Sequence, residues 1–447
     1  MSTPDNAPAG PSILRLSLAG LGLRAGQSLA ALLNVIVVAR ALGPEGRGEY
    51  YVFLATLAVA TRVVDLGTSV SVVVFAGRGR HSPAIVHGTA VRLAAVQWTG
   101  ASILIAVVAA VLGRTGTWSP PWLALAMTVA LLPLALYEQV WNQLSVGLRL
   151  IVPMNALHAA GALVLLVGNL ALVLSQRMSV ETALGLYGAV LVLKVLAMRV
   201  LMAPRLRRGD AKRPPPGIAR EMLRFGMRSY PNNVAVLLWT RVPTFVLLAF
   251  QGPAVVGLFS VAQQLLEQLA LPVQAVQDAA YRQVAQALPG VAAAHMNRIL
   301  RPAVWSVALL ALLAALLAPL AIPALFGAAF IPSAALLQVL LVGLVASVVP
   351  VLLSPFFFTQ LDRPGLVSWL AWARVCSSLL LCLLLVPVLA ATGAAIALVV
   401  SEVAASVLTI YLYLRFTGSH VADLFAVRPA DLRPLARIAR RAGWARR

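Results

Sequence analysis

Ionisable side chains lie inside long stretches of sequence that are otherwise apolar, and their types limit the chemistry that is available. Near the middle of these stretches lie five bases and five acids, namely Arg24, Arg62, Lys194, Arg241 and Arg374 against Asp65, Glu138, Glu267, Asp278 and Glu402. An arginine can donate two parallel hydrogen bonds to one phosphate group, so the bases predict binding of an anion. Among the acids we single out Asp65, Glu138 and Glu267 as candidates for a coupling role.

Polar residues follow a helical spacing in two of the apolar stretches. Residues spaced by three and four share one face of a helix. The first polar face consists of Arg24, Gln27, Ala31 and Asn34, and the second consists of Tyr230, Asn233, Leu237 and Arg241. We expect the two faces to line one cationic cavity, with Arg62, Lys194 and Arg374 as further substrate-binding cations.

Each of these charged residues also has a structural interpretation. Arg62 and Asp65 are three residues apart and would neutralise each other on one helix face. Arg24 would reach the lipid headgroups by extending its long side chain. Glu138 would pair with an arginine across the cavity, and Glu402 would form hydrogen bonds between neighbouring helices. The sequence leaves both interpretations open.

The composition indicates which elements must position these residues. The chain has 447 residues, of which 61% are hydrophobic and 11% are charged, and its mean hydropathy is +0.90. A soluble domain is about 45–50% apolar and about 25% charged. The excess of apolar residues requires lipid as a solvent, so the chain cannot be a soluble globular domain.

Twelve apolar stretches are long enough to cross a bilayer as helices, which takes about 20 residues. We place them at 13–41, 48–76, 84–112, 119–146, 153–175, 180–203, 222–250, 254–287, 299–323, 331–359, 364–389 and 392–415. The runs are continuous in Leu, Ala and Val and lack the alternation of a membrane β-barrel. We therefore predict an all-α polytopic membrane protein with about 12 transmembrane helices.

The formal charge of +21 is explained by the loops between the spans. With the N-terminus inside, 20 basic residues fall on the cytoplasmic side and four, Arg40, Arg47, Arg114 and Arg177, fall on the other. Basic loops stay cytoplasmic. We therefore expect an inner-membrane protein with both termini in the cytoplasm, and we do not expect nucleic acid as a partner.

The chain is predicted to contain two six-helix bundles. We expect a polar N-terminal tail at 1–12, a first bundle at 13–203, a basic Pro-rich cytoplasmic linker at 204–219, a second bundle at 220–417 and a basic cytoplasmic tail at 418–447. The bundles are related by an internal repeat, because a shift of 209 residues places the G-P-x3-G pattern of 43–48 on that of 252–257. The same shift places Arg92 on Arg301. Parallel repeats of this kind place a substrate path between them.

Three segments resemble polysaccharide-biosynthesis flippases, the O-antigen and exopolysaccharide transporters. They are residues 33–75, 251–276 and 386–403, and the last contains the pattern P-x5-G-A-A-x-A-x3-S-E. This family belongs to the superfamily that also contains MATE-type multidrug exporters and lipid II flippases. The resemblance implies a MATE-like fold of two six-helix bundles around a central cavity, and transport by alternating access.

The resemblance and the bases together predict a transporter that flips a polyprenyl-diphosphate-linked oligosaccharide across the cytoplasmic membrane for cell-surface polysaccharide assembly. Its partners would be this substrate, the membrane lipids and the polysaccharide polymerase machinery. The alternatives are a lipid II flippase and a cation-coupled multidrug antiporter. The antiporter class handles cationic drugs and needs acidic residues in the cavity, whereas bases match or outnumber acids here.

No enzymatic activity and no cofactor or metal is expected from the sequence. A membrane glycosyltransferase or polymerase needs sizeable outer loops, and no outer loop here exceeds about ten residues. The chain has no nucleotide-binding glycine loop, no H-E-x-x-H motif and no nucleophile elbow. Its two cysteines, Cys376 and Cys382, lie in one predicted span and do not form a disulfide framework or a metal site.

Overall fold

The computed structural model describes residues 13–114, 122–207, 215–286, 289–361 and 363–426. Within these ranges all regular structure is helical. The helices are α1 (Ile13–Val64), α2 (Thr68–Gly77), α3 (Pro83–Arg114), α4 (Trp122–Gly147), α5 (Ile151–Leu174), α6 (Val180–Arg207), α7 (Ile218–Gln251), α8 (Pro253–Leu269), α9 (Leu271–Gln286), α10 (Pro289–Phe326), α11 (Pro332–Thr359), α12 (Pro364–Thr417) and α13 (Val421–Phe425), with a 3-10 turn at Ala328–Phe330.

Two of these helices are each a pair of helices joined at a kink. The backbone of α1 leaves the helical region at Gly43 (φ 68°, ψ −176°), a conformation that glycine adopts without a steric penalty. The backbone of α12 does so at Ala390 (φ 49°, ψ −130°), three residues after Pro387. Divided at these two kinks, the long helices correspond to predicted spans 1 and 2 and to predicted spans 11 and 12.

The structure confirms the predicted all-α fold with about twelve transmembrane helices. In the described ranges, nine helices are long and apolar enough to cross a membrane. Two of the nine, Gly22–Val64 and Gly365–Thr417, each cover two predicted spans. The remaining predicted span corresponds to α4 (Trp122–Gly147).

Two predicted spans are interrupted in the middle. The stretch predicted at 48–76 consists of the end of α1 and the short helix α2, separated where Leu66 and Gly67 have φ of 47° and 78°. The stretch predicted at 254–287 consists of α8 and α9, which meet at Ala270. Pro272 lies in the first turn of α9, where a residue without a backbone N–H is tolerated.

The chain divides into two compact units. The first unit contains Met1–Leu42 and Phe53–Val234, and the second contains Gly43–Val52 and Ala235–Arg447. The division passes through α7, whose N-terminal half belongs to the first unit. The short segment Gly43–Val52, which follows the first span, belongs to the second unit. The predicted bundle boundary at 204–219 stays a prediction.

In the first unit, α1 and α5 pack side by side. The amide nitrogen of Asn169 donates to Oδ1 of Asn34 over 2.8 Å, and both residues are buried. A Cβ atom placed on Gly20 would lie 3.9 Å from the amide nitrogen of Asn155. The two residues of each contact are separated by the same number of positions along the chain, so α1 and α5 run in the same direction. Odd-numbered spans must do so when successive spans alternate in direction.

In the second unit, α11 is the most deeply buried of the candidate spans. It packs against α8, α9, α10 and α12. Leu344, Val348 and Leu352 lie at helical spacing on its buried surface. Because lipid tails are as apolar as leucine, such packing is driven by close contact between side chains and not by removal of water.

The repeated G-P-x3-G pattern has a physical explanation in the second unit. A Cβ atom on Gly48 would lie 1.8 Å from the carbonyl oxygen of Pro253, and one on Gly257 would lie 1.8 Å from the carbonyl oxygen of Pro44. The two copies of the pattern therefore contact each other reciprocally. Only glycine permits this approach of backbone to backbone, which explains why both copies contain it at this place.

Candidate functional site

A cluster of polar side chains in the second unit contains two arginines and one carboxylate. We call Arg47, Tyr51, Arg241, Gln264 and Glu267 the arginine cluster. The second part of α1 contributes Arg47 and Tyr51, α7 contributes Arg241, and α8 contributes Gln264 and Glu267. The spacings of four residues on α1 and three on α8 place each pair on one helix face.

Direct contacts connect the members of the arginine cluster. Nη1 of Arg241 lies 3.2 Å from Oε1 of Glu267 and donates a hydrogen bond to the hydroxyl of Tyr51. Nη2 of Arg47 donates to the side-chain oxygen of Gln264. The Tyr51 ring lies near both guanidinium groups, with Cζ of Arg47 5.8 Å and Cζ of Arg241 5.6 Å from its centroid.

The arginine cluster has a positive charge in excess. Arg47 is only 1% exposed, and its hydrogen-bond acceptor is a neutral amide. The Nε atoms of Arg47 and Arg241 are buried without a partner among the described residues. The carboxylate of Glu267 is already shared with Arg241, and its side chain is 40% exposed. Burying a cation without a counter-ion is costly, so this arrangement is suited to binding an anion.

A second cluster lies in the first unit, and its charges are balanced. We call Glu138, Asn142, His158 and Lys194 the lysine cluster. Nζ of Lys194 lies 2.6 Å from Oε1 of Glu138, and Nδ1 of His158 lies 3.8 Å from the same oxygen. Nε2 of His158 is 2.7 Å from Oδ1 of Asn142. Lys194, which lies on α6, is therefore paired with one carboxylate, and α4 supplies that carboxylate.

A glycine makes room for the lysine of this cluster. A Cβ atom on Gly161 of α5 would lie 3.3 Å from Cδ of Lys194. The alkyl stem of the lysine therefore passes closely over the α5 backbone on its way to Glu138. A larger residue at this place would push the ammonium group away from the carboxylate.

A third charged pair joins the two parts of α12 in the second unit. Arg374 donates to the carboxylate of Glu402, which is 1% exposed. The guanidinium of Arg374 also lies 3.9 Å from the centroid of the Trp239 ring, a cation–π contact. The indole N–H of Trp239 donates to Ser401 over 3.4 Å. This pair, like Lys194 with Glu138, is neutral as a whole.

Asp65 caps a helix in the structure. Its carboxylate accepts from the backbone N–H of Ser69 over 3.0 Å and from the Ser69 hydroxyl over 2.7 Å. Gln97 donates to the carbonyl oxygen of Asp65 and to the hydroxyl of Thr68. These bonds fix the start of α2 after the break in the span, where the free N–H groups of a helix need acceptors.

The other predicted substrate-binding residues differ in their exposure. Arg24 is exposed, whereas Gln27, Arg62 and Asn233 are half-buried. Asn34 is buried in the α1–α5 contact with Asn169, as described above. The role of these residues in substrate binding stays a prediction.

Arg47 was missed as a site residue by the sequence reasoning. Its position just after Gly43-Pro44 predicts an external loop, yet it lies in a helix and is buried. The signal that would have found it is its spacing of three and four residues from Tyr50 and Tyr51, because both rings flank its guanidinium.

The comparison with protein families decides the assignment. The family model described as polysaccharide biosynthesis protein matches residues 21–277, which is more than half of the chain. The chain belongs to this family. The match covers the first unit's helices, the segment Gly43–Val52 and most of α7 to α9, so it includes every member of the arginine cluster. No protein of curated function matches the sequence of this family member.

The fold of this family member is that of MOP-superfamily transporters. The lipid II flippase MurJ in an inward closed conformation has a TM-score of 0.68 at 12% identity, over 92% of this chain and 89% of MurJ. An inward-facing multidrug resistance MATE family transporter has a TM-score of 0.68 at 16% identity, over 90% of this chain and 98% of its own. A MOP superfamily transporter from Pyrococcus furiosus has a TM-score of 0.59 at 16% identity, over 91% and 95% of the two chains.

The comparisons confirm that the chain belongs to the polysaccharide biosynthesis protein family, and its apolar helices are those of a multi-pass membrane protein. Its structural neighbours are transporters and flippases and not enzymes. The similarity to them is a similarity of fold. The Pyrococcus furiosus protein is described as having a binding pocket of reverse polarity that suggests a different function.

Proposed function

We propose that the protein flips a polyprenyl-diphosphate-linked oligosaccharide across the cytoplasmic membrane by alternating access, for cell-surface polysaccharide assembly. The family and the fold support a flippase role. The observation that carries the choice of an anionic substrate is the arginine cluster, where the part-buried Arg241 contacts the carboxylate of Glu267 and the buried Arg47 has only a neutral amide as its acceptor. A diphosphate supplies the missing negative charge.

In this proposal Arg47 and Arg241 bind the phosphates of the substrate. When no substrate is present, the carboxylate of Glu267 occupies the position of a phosphate beside Arg241. Glu267 contacts Arg241 over 3.2 Å and its side chain is 40% exposed, so it has room to move away when a phosphate replaces it. Arginine suits this exchange because its planar fork binds two phosphate oxygens at once. Glu267 is then a candidate for coupling, because its carboxylate would leave Arg241 when the substrate binds.

The remaining predicted residues have graded roles in this proposal. Arg24 and Arg62, with Gln27, Asn34 and Asn233, remain proposed contacts for the substrate. Lys194 and Arg374 are proposed to take part only when an anion draws them from Glu138 and Glu402. Asp65 and Glu138 are the weaker candidates for coupling, because one caps a helix and the other neutralises a lysine.

The charge pairs weigh against a cation-coupled multidrug antiporter. In the described part of the chain, the carboxylates of Glu138, Glu267 and Glu402 each contact a basic side chain. A site for a cationic drug needs carboxylates in excess of bases. A lipid II flippase remains the closer alternative, because its substrate is also an anionic polyprenyl diphosphate.

The gene's deletion tests the proposed function, with surface polysaccharide and membrane-bound lipid-linked oligosaccharide measured together. We expect the surface polymer to disappear and the lipid-linked intermediate to accumulate on the cytoplasmic face. The trapped intermediate would also identify the sugar. Normal polymer together with new sensitivity to cationic compounds would instead favour the multidrug antiporter. Accumulation of lipid II would favour the lipid II flippase.

The proposal includes a location and partners. We propose that the protein lies in the inner membrane with both termini in the cytoplasm, because basic residues are concentrated on that side. The polysaccharide polymerase machinery is a proposed partner, since it would use the flipped substrate.

A further inference from the structure

A groove of about 290 Å³ lies in the first unit between α3 and the beginning of α7. Its lining residues are Thr89, Arg92, Leu93 and Val96 from α3, Pro215 and Gly217 from the segment before α7, and Ile218 and Ala219 from the first turn of α7. The α3 residues have the spacing of one helix face. None of these residues belongs to the arginine cluster or the lysine cluster.

One part of the groove presents hydrogen-bond donors. Thr89 is only 5% exposed, and its hydroxyl is buried without a partner among the described residues. A buried hydroxyl without a partner costs free energy that a ligand can recover. Arg92 lies three residues further along the same face and is exposed. A hydroxyl and a guanidinium at this spacing form a site for a phosphate or a similar anion.

The beginning of α7 adds to this attraction for an anion. Ile218 and Ala219, which line the groove, are the first two residues of a helix of 34 residues, and Gly217 immediately precedes it. The first N–H groups of a helix have no partner within it, and the helix dipole places a partial positive charge there. An anion near Arg92 and Thr89 would therefore also be favoured by this helix end.

The rest of the groove is apolar. Leu93, Val96 and Ile218 supply aliphatic side chains beside the polar part. A free phosphate ion would leave these surfaces unused, whereas a lipid would cover them with its acyl chains. The occupant that fits both parts has an anionic head and a hydrocarbon tail.

The repeat partner of Arg92 is used differently. Arg301 occupies the corresponding place in the second half of the chain and is 6% exposed. Its Nε donates to the carbonyl oxygen of Asn297 over 3.2 Å. Arg301, in the second half of the chain, is therefore buried, whereas Arg92, in the first half, is exposed at the groove.

We propose that the groove binds an anionic glycerophospholipid, with the headgroup phosphate on Arg92 and Thr89 and the acyl chains on Leu93, Val96 and Ile218. Basic pockets between transmembrane helices are known to hold such headgroups. The segment that leads into α7 lies in the basic stretch 204–219, which attracts the same lipids. The bound lipid joins α3 to the first turn of α7.

Thermal unfolding of the delipidated full-length protein in detergent tests this proposal. The additives are phosphatidylglycerol, phosphatidylcholine and inorganic phosphate. We expect phosphatidylglycerol alone to raise the unfolding temperature. In Arg92→Gln the lipid concentration needed for half the effect should rise by about tenfold or more, as for the loss of a hydrogen bond to a charged group. Thr89→Val should raise this lipid concentration by a smaller factor. Thr89→Ser, which keeps the hydroxyl, should leave it equal to that of the unchanged protein.

Arg80→Gln is the matched control, because Arg80 is exposed and does not line the groove. Its response to phosphatidylglycerol should equal that of the unchanged protein. An equal response to phosphatidylcholine, or to inorganic phosphate, would overturn the assignment of an anionic lipid. A larger shift with polyprenyl phosphate would assign the groove to the carrier of the transported sugar. An unchanged response in both Arg92→Gln and Thr89→Val would place the lipid elsewhere.

Discussion

The arginine cluster and the lysine cluster are both partly buried networks of charged side chains, but they differ in charge balance. In the lysine cluster, Lys194 has its own carboxylate at 2.6 Å. In the arginine cluster, the single carboxylate of Glu267 serves Arg241, and Arg47 has a neutral amide as its acceptor. A balanced pair stabilises a fold without needing a ligand. An unbalanced pair leaves a buried charge that an incoming anion can neutralise.

This difference shows that the presence of a base in a span is weak evidence of a binding site. Lys194 and Arg374 were predicted as substrate-binding cations from their positions alone, and each is paired with a glutamate. The free energy needed to separate such a pair in a membrane opposes their use for substrate. The number of carboxylates within reach of each base is therefore the more informative property.

The largest effect is expected from removing the excess charge. Arg47→Met and Arg241→Met should each lower polysaccharide output by tenfold or more, because a hydrogen bond to a charged group contributes roughly 1.5–3 kcal/mol. The double variant should abolish output. Arg47→Met should not lower folding stability, since it removes a buried charge that has no counter-ion. The measurements are surface polysaccharide and the amount of protein in the membrane.

Arg177→Met is the control for these variants, because Arg177 is exposed in the turn between α5 and α6. It should leave polysaccharide output unchanged. Normal output in Arg47→Met and Arg241→Met, with normal protein levels, would show that the arginine cluster does not bind the substrate. A loss of membrane protein in Arg47→Met would mean that the arginine is needed for folding.

The second effect concerns the balanced lysine cluster and is an effect on stability. Lys194→Met leaves Glu138 without its cation and should cost about 3 kcal/mol, at the lower end of values for breaking a buried pair because both side chains are partly exposed. The double variant Lys194→Met/Glu138→Gln should recover most of this loss. The measurement is the unfolding midpoint of the purified protein. A loss in the double variant equal to the sum of the losses in Lys194→Met and Glu138→Gln would show that the two side chains are not coupled.

The sequence was sufficient to predict the helices because each span is a continuous apolar run, and the excess of apolar residues excluded any soluble fold. It was also sufficient to find the G-P-x3-G repeat, since Gly48 and Gly257 leave a visible pattern. The break near Gly67 was not predicted. It lies inside an apolar stretch, where hydropathy stays high although the helix stops.

The candidate site could be predicted only in part, because charge balance depends on contacts between distant segments. The sequence identifies Arg241 and Glu267 as charged residues within spans, yet it does not show that they meet. Arg47 was assigned to a loop because it follows a Gly-Pro turn. The unpartnered hydroxyl of Thr89 is a property of packing, and nothing in the sequence distinguishes it from the other threonines of the spans.

The smallest effect is expected from a neutral polar pair, which provides the reference for both charged clusters. Asn34 and Asn169 bond over 2.8 Å between α1 and α5 and have no net charge. Hydrogen bonds between membrane helices contribute about 0.6 kcal/mol on average. Asn169→Leu should therefore lower stability by roughly this amount, well below the loss in Lys194→Met. The measurement is again the unfolding midpoint of the purified protein. A loss as large as that of Lys194→Met would mean that helix packing, and not charge, sets the cost of breaking buried polar contacts here, and charge balance would then no longer distinguish the two clusters.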